Sequence, residues 1–256
     1  MLTDQVTFET KVWEKDWEFI LKNNYLKKVI DYCNHEFDHR QIIINNVKDL
    51  NGVKKHCDRL INNGVIDSYH AVHDHEKETL EHFQLDKTHF GAGYVYSIAE
   101  IVGIQQCPTP FLFHLSGDSW IPKDQATWIP DGVQLLKNNK DVICVNPAWN
   151  FAFDQVQNES TKVVEPFAIS QGFSDQAYLI ETAVFKENIY SHDHQDSQRY
   201  PVYGGDLFEK RIDSFMRDCS KYRATHMQTS YVSKNFPRDF FSRKLLRKKI
   251  VSDRIG

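Results

Sequence analysis

Residues 1–120 switch repeatedly between two hydrophobic periods, and that switching limits the chain to few folds. The segment 6–12, Val-Thr-Phe-Glu-Thr-Lys-Val, alternates apolar and polar residues as a half-buried strand does. Trp17, Leu21, Tyr25 and Val29 then recur every four residues, which predicts one amphipathic helix. A second strand is expected over 41–47, β-branched through its middle and ending near Asn45 and Asn46. Val53, Cys57, Leu60 and Ile61 mark a second helix, which Asn62-Asn63-Gly64 stops. A short strand over 66–72 leads into a loop at His73-Asp74-His75-Glu76. A helix over 94–102 and a strand over 110–115 follow. This order predicts an α/β fold, a mainly parallel Rossmann-like sheet flanked by helices.

The usual nucleotide fingerprints are missing. No Gly-x-Gly-x-x-Gly follows the first strand, and no Gly-x-x-x-x-Gly-Lys-Ser/Thr occurs anywhere. Chemistry must come from the strand ends instead. Pro110-Phe111-Leu112-Phe113-His114-Leu115 stops abruptly on Ser116-Gly117-Asp118. The carboxylate then sits at a strand's carboxyl end, where open α/β sheets place their ligands. An acid there either caps a turn or handles a cation and phosphate.

The second half reads as a helix over 128–136, then a strand over 141–147 that Pro147 closes. An irregular polar stretch follows over 148–172, then a strand over 173–180, and a His/Asp/Gln-rich loop over 191–198. Gly204-Gly205-Asp206 opens a helix over 207–218. With no linker or repeat, 1–235 is expected to be one domain, with halves of about 1–120 and 121–235. Residues 236–256 form a basic tail, whose Arg243, Lys244, Arg247, Lys248 and Lys249 interleave with apolar residues. Such a tail either lies on an anionic membrane surface or packs on the domain with its bases in water.

Lys and Arg number 31 against 35 Asp and Glu, a net charge of -4, so no nucleic-acid partner is expected. The five cysteines are scattered and form no Cys-x-x-Cys pair, which points to a reducing compartment without disulfides or a zinc knuckle. No signal peptide is visible after Met1, and no run approaches the roughly 18 apolar residues of a membrane span. A cytoplasmic chain is expected, with the basic tail as its route to a membrane's cytoplasmic face.

The layout, with Leu115-Ser116-Gly117-Asp118 after a strand and Gly204-Gly205-Asp206-Leu207-Phe208-Glu209 before a helix, resembles glycosyltransferases of the A-type (GT-A) fold. Among these it is most similar to the inverting, family-2-like enzymes, over roughly residues 5–220. The resemblance implies a nucleotide-diphospho-sugar donor, a glycan or other hydroxyl acceptor, and a divalent cation, Mn²⁺ or Mg²⁺. In that family an Asp-x-Asp motif holds the cation on the diphosphate, and a carboxylate in the acceptor half takes the acceptor's proton. Asp118 would hold the cation, neutralising charge on the leaving diphosphate. Ser116 replaces the motif's first acid, where it could orient a ribose hydroxyl or a metal-bound water. Asp206 would be the general base, with Glu209 as alternative base or acceptor ligand. Glu9, Thr10 and Asn46 would line the nucleotide pocket, and Asp74 would accept from the base's ring N–H. Asp175 and Gln176 would face the acceptor, Trp149 would stack on a sugar, and His226 would bind metal or phosphate.

Other readings of the same residues stand beside these. Asp118 could cap a turn, and Asp206 could be the N-cap of its helix. The histidines of His70-Ala71-Val72-His73-Asp74-His75 suggest zinc, but their spacing departs from the metallo-hydrolase pattern; His192 and His194 could join them only in space. Gly-Gly-Asp-Leu-Phe lacks the second acid of the diguanylate-cyclase signature, with Leu207 in its place. A sugar-phosphate nucleotidyltransferase would need a glycine-rich loop after the first strand, and Thr10-Lys11-Val12-Trp13-Glu14 has no glycine. A catalytically silent sugar- or protein-binding module on the same fold is the reading that Ser116 favours.

Overall fold

A computed structural model describes residues 3–199 and 207–233, together with 242, 245, 246, 249 and 250. Four parallel strands, β1 (Val6–Val12), β2 (His39–Ile44), β3 (Ser68–Ala71) and β4 (Phe111–Leu115), lie in the order β3-β2-β1-β4. Alternation sends successive β1 side chains to opposite faces. Val6, Phe8 and Val12 join a core built with α1 (Trp17–Leu21), α2 (Tyr25–Tyr32) and α3 (Leu50–Asn62). On the other face, α4 (Val72–Phe83) and α5 (Tyr94–Gln106) contribute Phe83, Ile98, Ile101 and Val102 to a second core.

The second half extends the same sheet. It contains β5 (Ser119–Trp120), α6 (Ile129–Asn138), β6 (Val142–Trp149), α7 (Phe153–Glu159), β7 (Lys162–Val164) and β8 (Phe167–Ser170). Next come β9 (Ala177–Glu181), α8 (Thr182–Phe185), α9 (Phe208–Asp218) and β10 (Tyr222–Ser233). The full order is β3-β2-β1-β4-β9-β6-β10-β8-β7, with β5 paired to β10. Because β9 is antiparallel to both β4 and β6, and β10 is parallel to β6, the strands β1 to β4, β6 and β10 share one direction. The sheet is thus mainly parallel, with α6 on the first core and α9 on the second.

Several local expectations are corrected. The single helix from Trp17 to Val29 is two, broken where Asn23 takes φ 63°. The four-residue spacing survives because both helices bury the same side: Leu21, Tyr25 and Val29 are all buried. The expected loop at 73–76 is the first part of α4, a surface helix anchored by only Val72, Thr79 and Phe83. Pro147 does not close its strand, since β6 runs on to Trp149. β9 pairs with β6 only at Cys144 and Val145, so the missing Pro147 N–H interrupts no ladder on that side. The stretch 148–172 carries α7, β7 and β8, and the strand expected over 173–180 starts only at Ala177.

β10 had no counterpart in the sequence reading, because its core positions are polar. Thr225, His226, Thr229 and Ser230 are all buried, satisfied by bonds such as Thr225 Oγ1 to Asn146 Oδ1 at 3.2 Å and Thr229 Oγ1 to Ala126 O at 2.8 Å. All five cysteines are free. No helix among the described residues is long and apolar enough to cross a membrane. In the tail, Ile250 is buried and Leu246 packs against the first core, while Tyr32 Oη donates to Ile250 O at 3.1 Å.

Candidate active site

β1 has β2 on one side and β4 on the other, so the strand order reverses there. Chains leaving the carboxyl ends of neighbouring strands diverge at such a point and leave a crevice. A cavity of about 290 Å³ occupies it, lined by Lys11 near the end of β1, Trp13 and Asp16 after it, Asn46 after β2, Tyr96 at the start of α5, Ser116 to Asp118 after β4, and Asp175 before β9. Gly117 makes the β4 turn possible. A Cβ there would lie 2.9 Å from Lys11 O and 2.4 Å from Ile20 Cδ1. Ser116 fixes the motif twice: its N–H donates to Gln176 O at 2.7 Å, and its hydroxyl donates to Asp118 Oδ1 at 3.2 Å. The first bond ties the β4 end to the segment carrying Asp175. Burial raises the Asp118 pKa, and Asp175 adds to this; the Ser116 bond and Lys11 pull it back.

The floor beneath the cavity is a buried polar network, in which Gln41 Oε1 and His114 Nε2 lack a hydrogen-bond partner. Glu9 accepts from Gln41 Nε2 at 2.5 Å, and its other oxygen lies 2.9 Å from His114 Nδ1. Gln41 also donates to Gly103 O at 3.0 Å, and Tyr178 Oη donates to Glu100 Oε2 at 2.7 Å. Lys11 Nζ forms an ion pair with Glu100. Only glycine fits at position 103, because a Cβ would stand 2.2 Å from the Glu9 carboxylate. Burial pushes the Glu9 pKa up from 4.5 to about 7, against the Gln41 bond and the Lys11 charge. Burial and Lys11 hold His114 well below its usual range, so its ring is neutral. Glu9, Glu100 and His114 are the one group of three potential metal ligands among the described residues, with ligand atoms within 4.8 Å. The Lys11 ammonium already pairs with Glu100, so one member of this group is engaged by a cationic side chain.

Glu9 makes stability depend on pH. The folded state keeps a proton that the unfolded chain releases, so stability falls as pH rises from about 4.5 to about 7. Glu9→Gln preserves acceptor and donor atoms for Gln41 and His114 without the charge. It should leave stability near pH 4 unchanged and raise it by about 2–3 kcal/mol at pH 8. Urea melts across this range check it; an unchanged pH slope would show that Glu9 titrates normally.

Of the residues singled out from sequence, the structure gathers Asn46, Ser116, Asp118 and Asp175 around the cavity. Gln176 adjoins it through its carbonyl. Glu209, half-buried in the first turn of α9, acts electrostatically on Lys11. Asp206 lies outside the described residues. The remaining candidates sit elsewhere. Glu9 is in the floor, without solvent exposure, and Thr10 is buried on the β1 face that carries Phe8 and Val12. Asp74 is on α4, ion-paired to Lys54 at 3.1 Å, and is no part of the cavity lining. His226 is buried in β10, edge-on to Phe167 at 5.3 Å, where burial lowers its pKa; it is not grouped with Asp118. The Trp149 face is covered by the Arg223 guanidinium at 5.5 Å.

The histidine cluster does not form a zinc site. His70 packs on the His75 ring at 5.2 Å, His73 pairs with Asp74, and His192 pairs with Asp218 at 2.7 Å. Sequence reasoning missed Lys11, Trp13 and Tyr96. The one available signal was Lys11 sharing a strand face with Glu9, since two charges on a buried face require partners.

The chain matches no protein-family model and no curated protein sequence. Among solved structures it is similar to GalNAc-T7 bound to UDP, GalNAc and Mn²⁺, at 11% identity and TM-score 0.52, covering 90% of this chain and 43% of that one. The chain has the A-type glycosyltransferase fold. It thus spans well under half the length of GalNAc-T7. Glucosyl-3-phosphoglycerate synthase from Mycobacterium tuberculosis with Mg²⁺ and UDP (12% identity, TM-score 0.47, 97% of this chain and 77% of that one) is also similar. So is mouse xyloside xylosyltransferase 1 (11% identity, TM-score 0.48, 86% and 84%).

Proposed function

We propose that the protein is an inverting glycosyltransferase that moves a sugar from a nucleoside-diphosphate donor to a hydroxyl acceptor. The observation that carries this reading is the cavity at the β1/β4 switch point, with Asp118, Asp175 and Lys11 on its walls. Fold likeness adds support, since GalNAc-T7 is seen with UDP, GalNAc and Mn²⁺.

The donor set suits a hard cation, because three carboxylates, Asp16, Asp118 and Asp175, line one cavity. Among the described residues none of the three belongs to a group of three ligands within reach of one ion, so phosphate and water oxygens would complete the shell. Mg²⁺ or Mn²⁺ held by Asp118 would neutralise charge on the departing diphosphate. Ser116 holds the Asp118 carboxylate in place through its 3.2 Å bond. Tyr96 offers an aromatic ring to a nucleobase, beside Trp13, over whose ring the Lys15 ammonium lies at 5.0 Å, and Asn46 offers an amide. Proton removal from the acceptor falls to Glu209 or to Asp206.

Titration calorimetry with UDP and GDP, each with and without Mn²⁺, tests the reading. Binding of one nucleotide, strengthened by Mn²⁺, is expected. Absence of binding under every condition would replace the enzyme with a silent binding module on the same fold.

A further inference from the structure

Lys11 is the basic residue of the cavity lining, a charge that a cation-dependent site does not require. β1 and β4 pair in parallel up to Glu9 and His114, and continuing that register sets Lys11 beside Ser116. The Lys11 carbonyl is the atom that a Cβ on Gly117 would strike at 2.9 Å, so Lys11 abuts the Ser116-Gly117-Asp118 turn. Its side chain keeps 19% of its surface exposed and lines the cavity, while Glu100, at 1%, lies beneath it. Burial lowers the Lys11 pKa, and four further carboxylates, Asp175, Glu9, Glu209 and Asp118, oppose that shift and favour the charged ammonium. They come from both halves of the sheet and from α9. An ammonium has three donors, and Glu100 anchors it from below, which leaves donors for a ligand above.

We propose that Lys11 is a resident cation for the donor's diphosphate, supplementing a divalent cation that Asp118 would hold without a first acid at Ser116. Glu100, itself bonded by Tyr178, positions the ammonium and does not touch the donor. The inference rests on the nucleoside-diphosphate reading above and deepens it. It makes diphosphate recognition partly independent of a divalent cation.

The test compares a nucleoside diphosphate with its bare nucleoside, using UDP and uridine, or GDP and guanosine, whichever pair the wild-type chain binds. In EDTA the wild type should still bind the diphosphate more tightly than the nucleoside. Lys11→Met in EDTA should weaken the diphosphate by about 10- to 100-fold and change the nucleoside by less than about 2-fold. Removing Lys11 leaves Glu100 buried without its partner, so the double variant K11M/E100Q is measured too and should show the same selective loss. Three results overturn the proposal while leaving the donor reading intact: wild-type preference for the diphosphate vanishing in EDTA, equal weakening of both ligands, or no loss in the double variant. A wild type that binds no nucleotide, with or without Mn²⁺, removes the donor reading and this inference together.

Discussion

Asp118→Asn is expected to lower sugar transfer by about 100- to 1,000-fold and to abolish the response to Mn²⁺, while the fold stays intact. The asparagine keeps an oxygen in place of Oδ1, so the Ser116 hydroxyl retains its acceptor. What disappears is the negative charge. Burial and Asp175 already disfavour that charge in the folded protein, so its removal should leave the melting temperature unchanged or slightly raised. A loss of turnover without a loss of stability separates a working carboxylate from a turn cap. Capping predicts the opposite pattern, because a cap's removal lowers stability by about 1 kcal/mol and leaves metal response alone. Turnover near wild type with an unchanged Mn²⁺ response would take Asp118 out of the mechanism.

The second large effect is structural. Phe113 lies at the middle of β4, without solvent exposure. It stacks on Phe37 at 6.1 Å and meets Phe8 at 6.2 Å and Trp128 at 5.3 Å edge-on. Phe113→Ala should destabilise the protein by about 3–5 kcal/mol, from lost burial and the cavity left between three aromatic rings. Chemical denaturation checks it. A loss below about 1 kcal/mol would mean that this layer collapses freely onto the gap. Phe113→Leu fills most of that space and should cost markedly less. Because β4 carries Ser116 to Asp118, the alanine variant should also loosen nucleotide binding.

The contrast between β1 and β10 shows what local pattern could reveal. In β1 the alternation Val6, Phe8, Val12 against Thr7, Glu9, Lys11 is visible in the chain and matches the two faces of the strand. β10 is also largely buried, yet its Thr225, His226, Thr229 and Ser230 give no strand pattern, because their bonding partners lie far away in sequence. The same limit explains why some candidate residues lie away from the cavity. His226 and Trp149 had suitable chemistry, but their rings are taken up by Phe167 and Arg223. Asp74 follows a strand end as expected, yet α4 carries it to Lys54 at the surface.

By itself the sequence determined the βα alternation of the first half, and with it a crevice at the end of β4 where Ser116-Gly117-Asp118 had to sit. These follow from period and turn chemistry, which act over a few residues. Only the tertiary structure decided what faces Asp118. Asp175 arrives through the Ser116–Gln176 backbone bond, and Lys11 through the β1/β4 register, with Glu100 of α5 beneath it. Charges distant along the chain interact only once the sheet has set their separations, so the electrostatics of the site are a property of the fold.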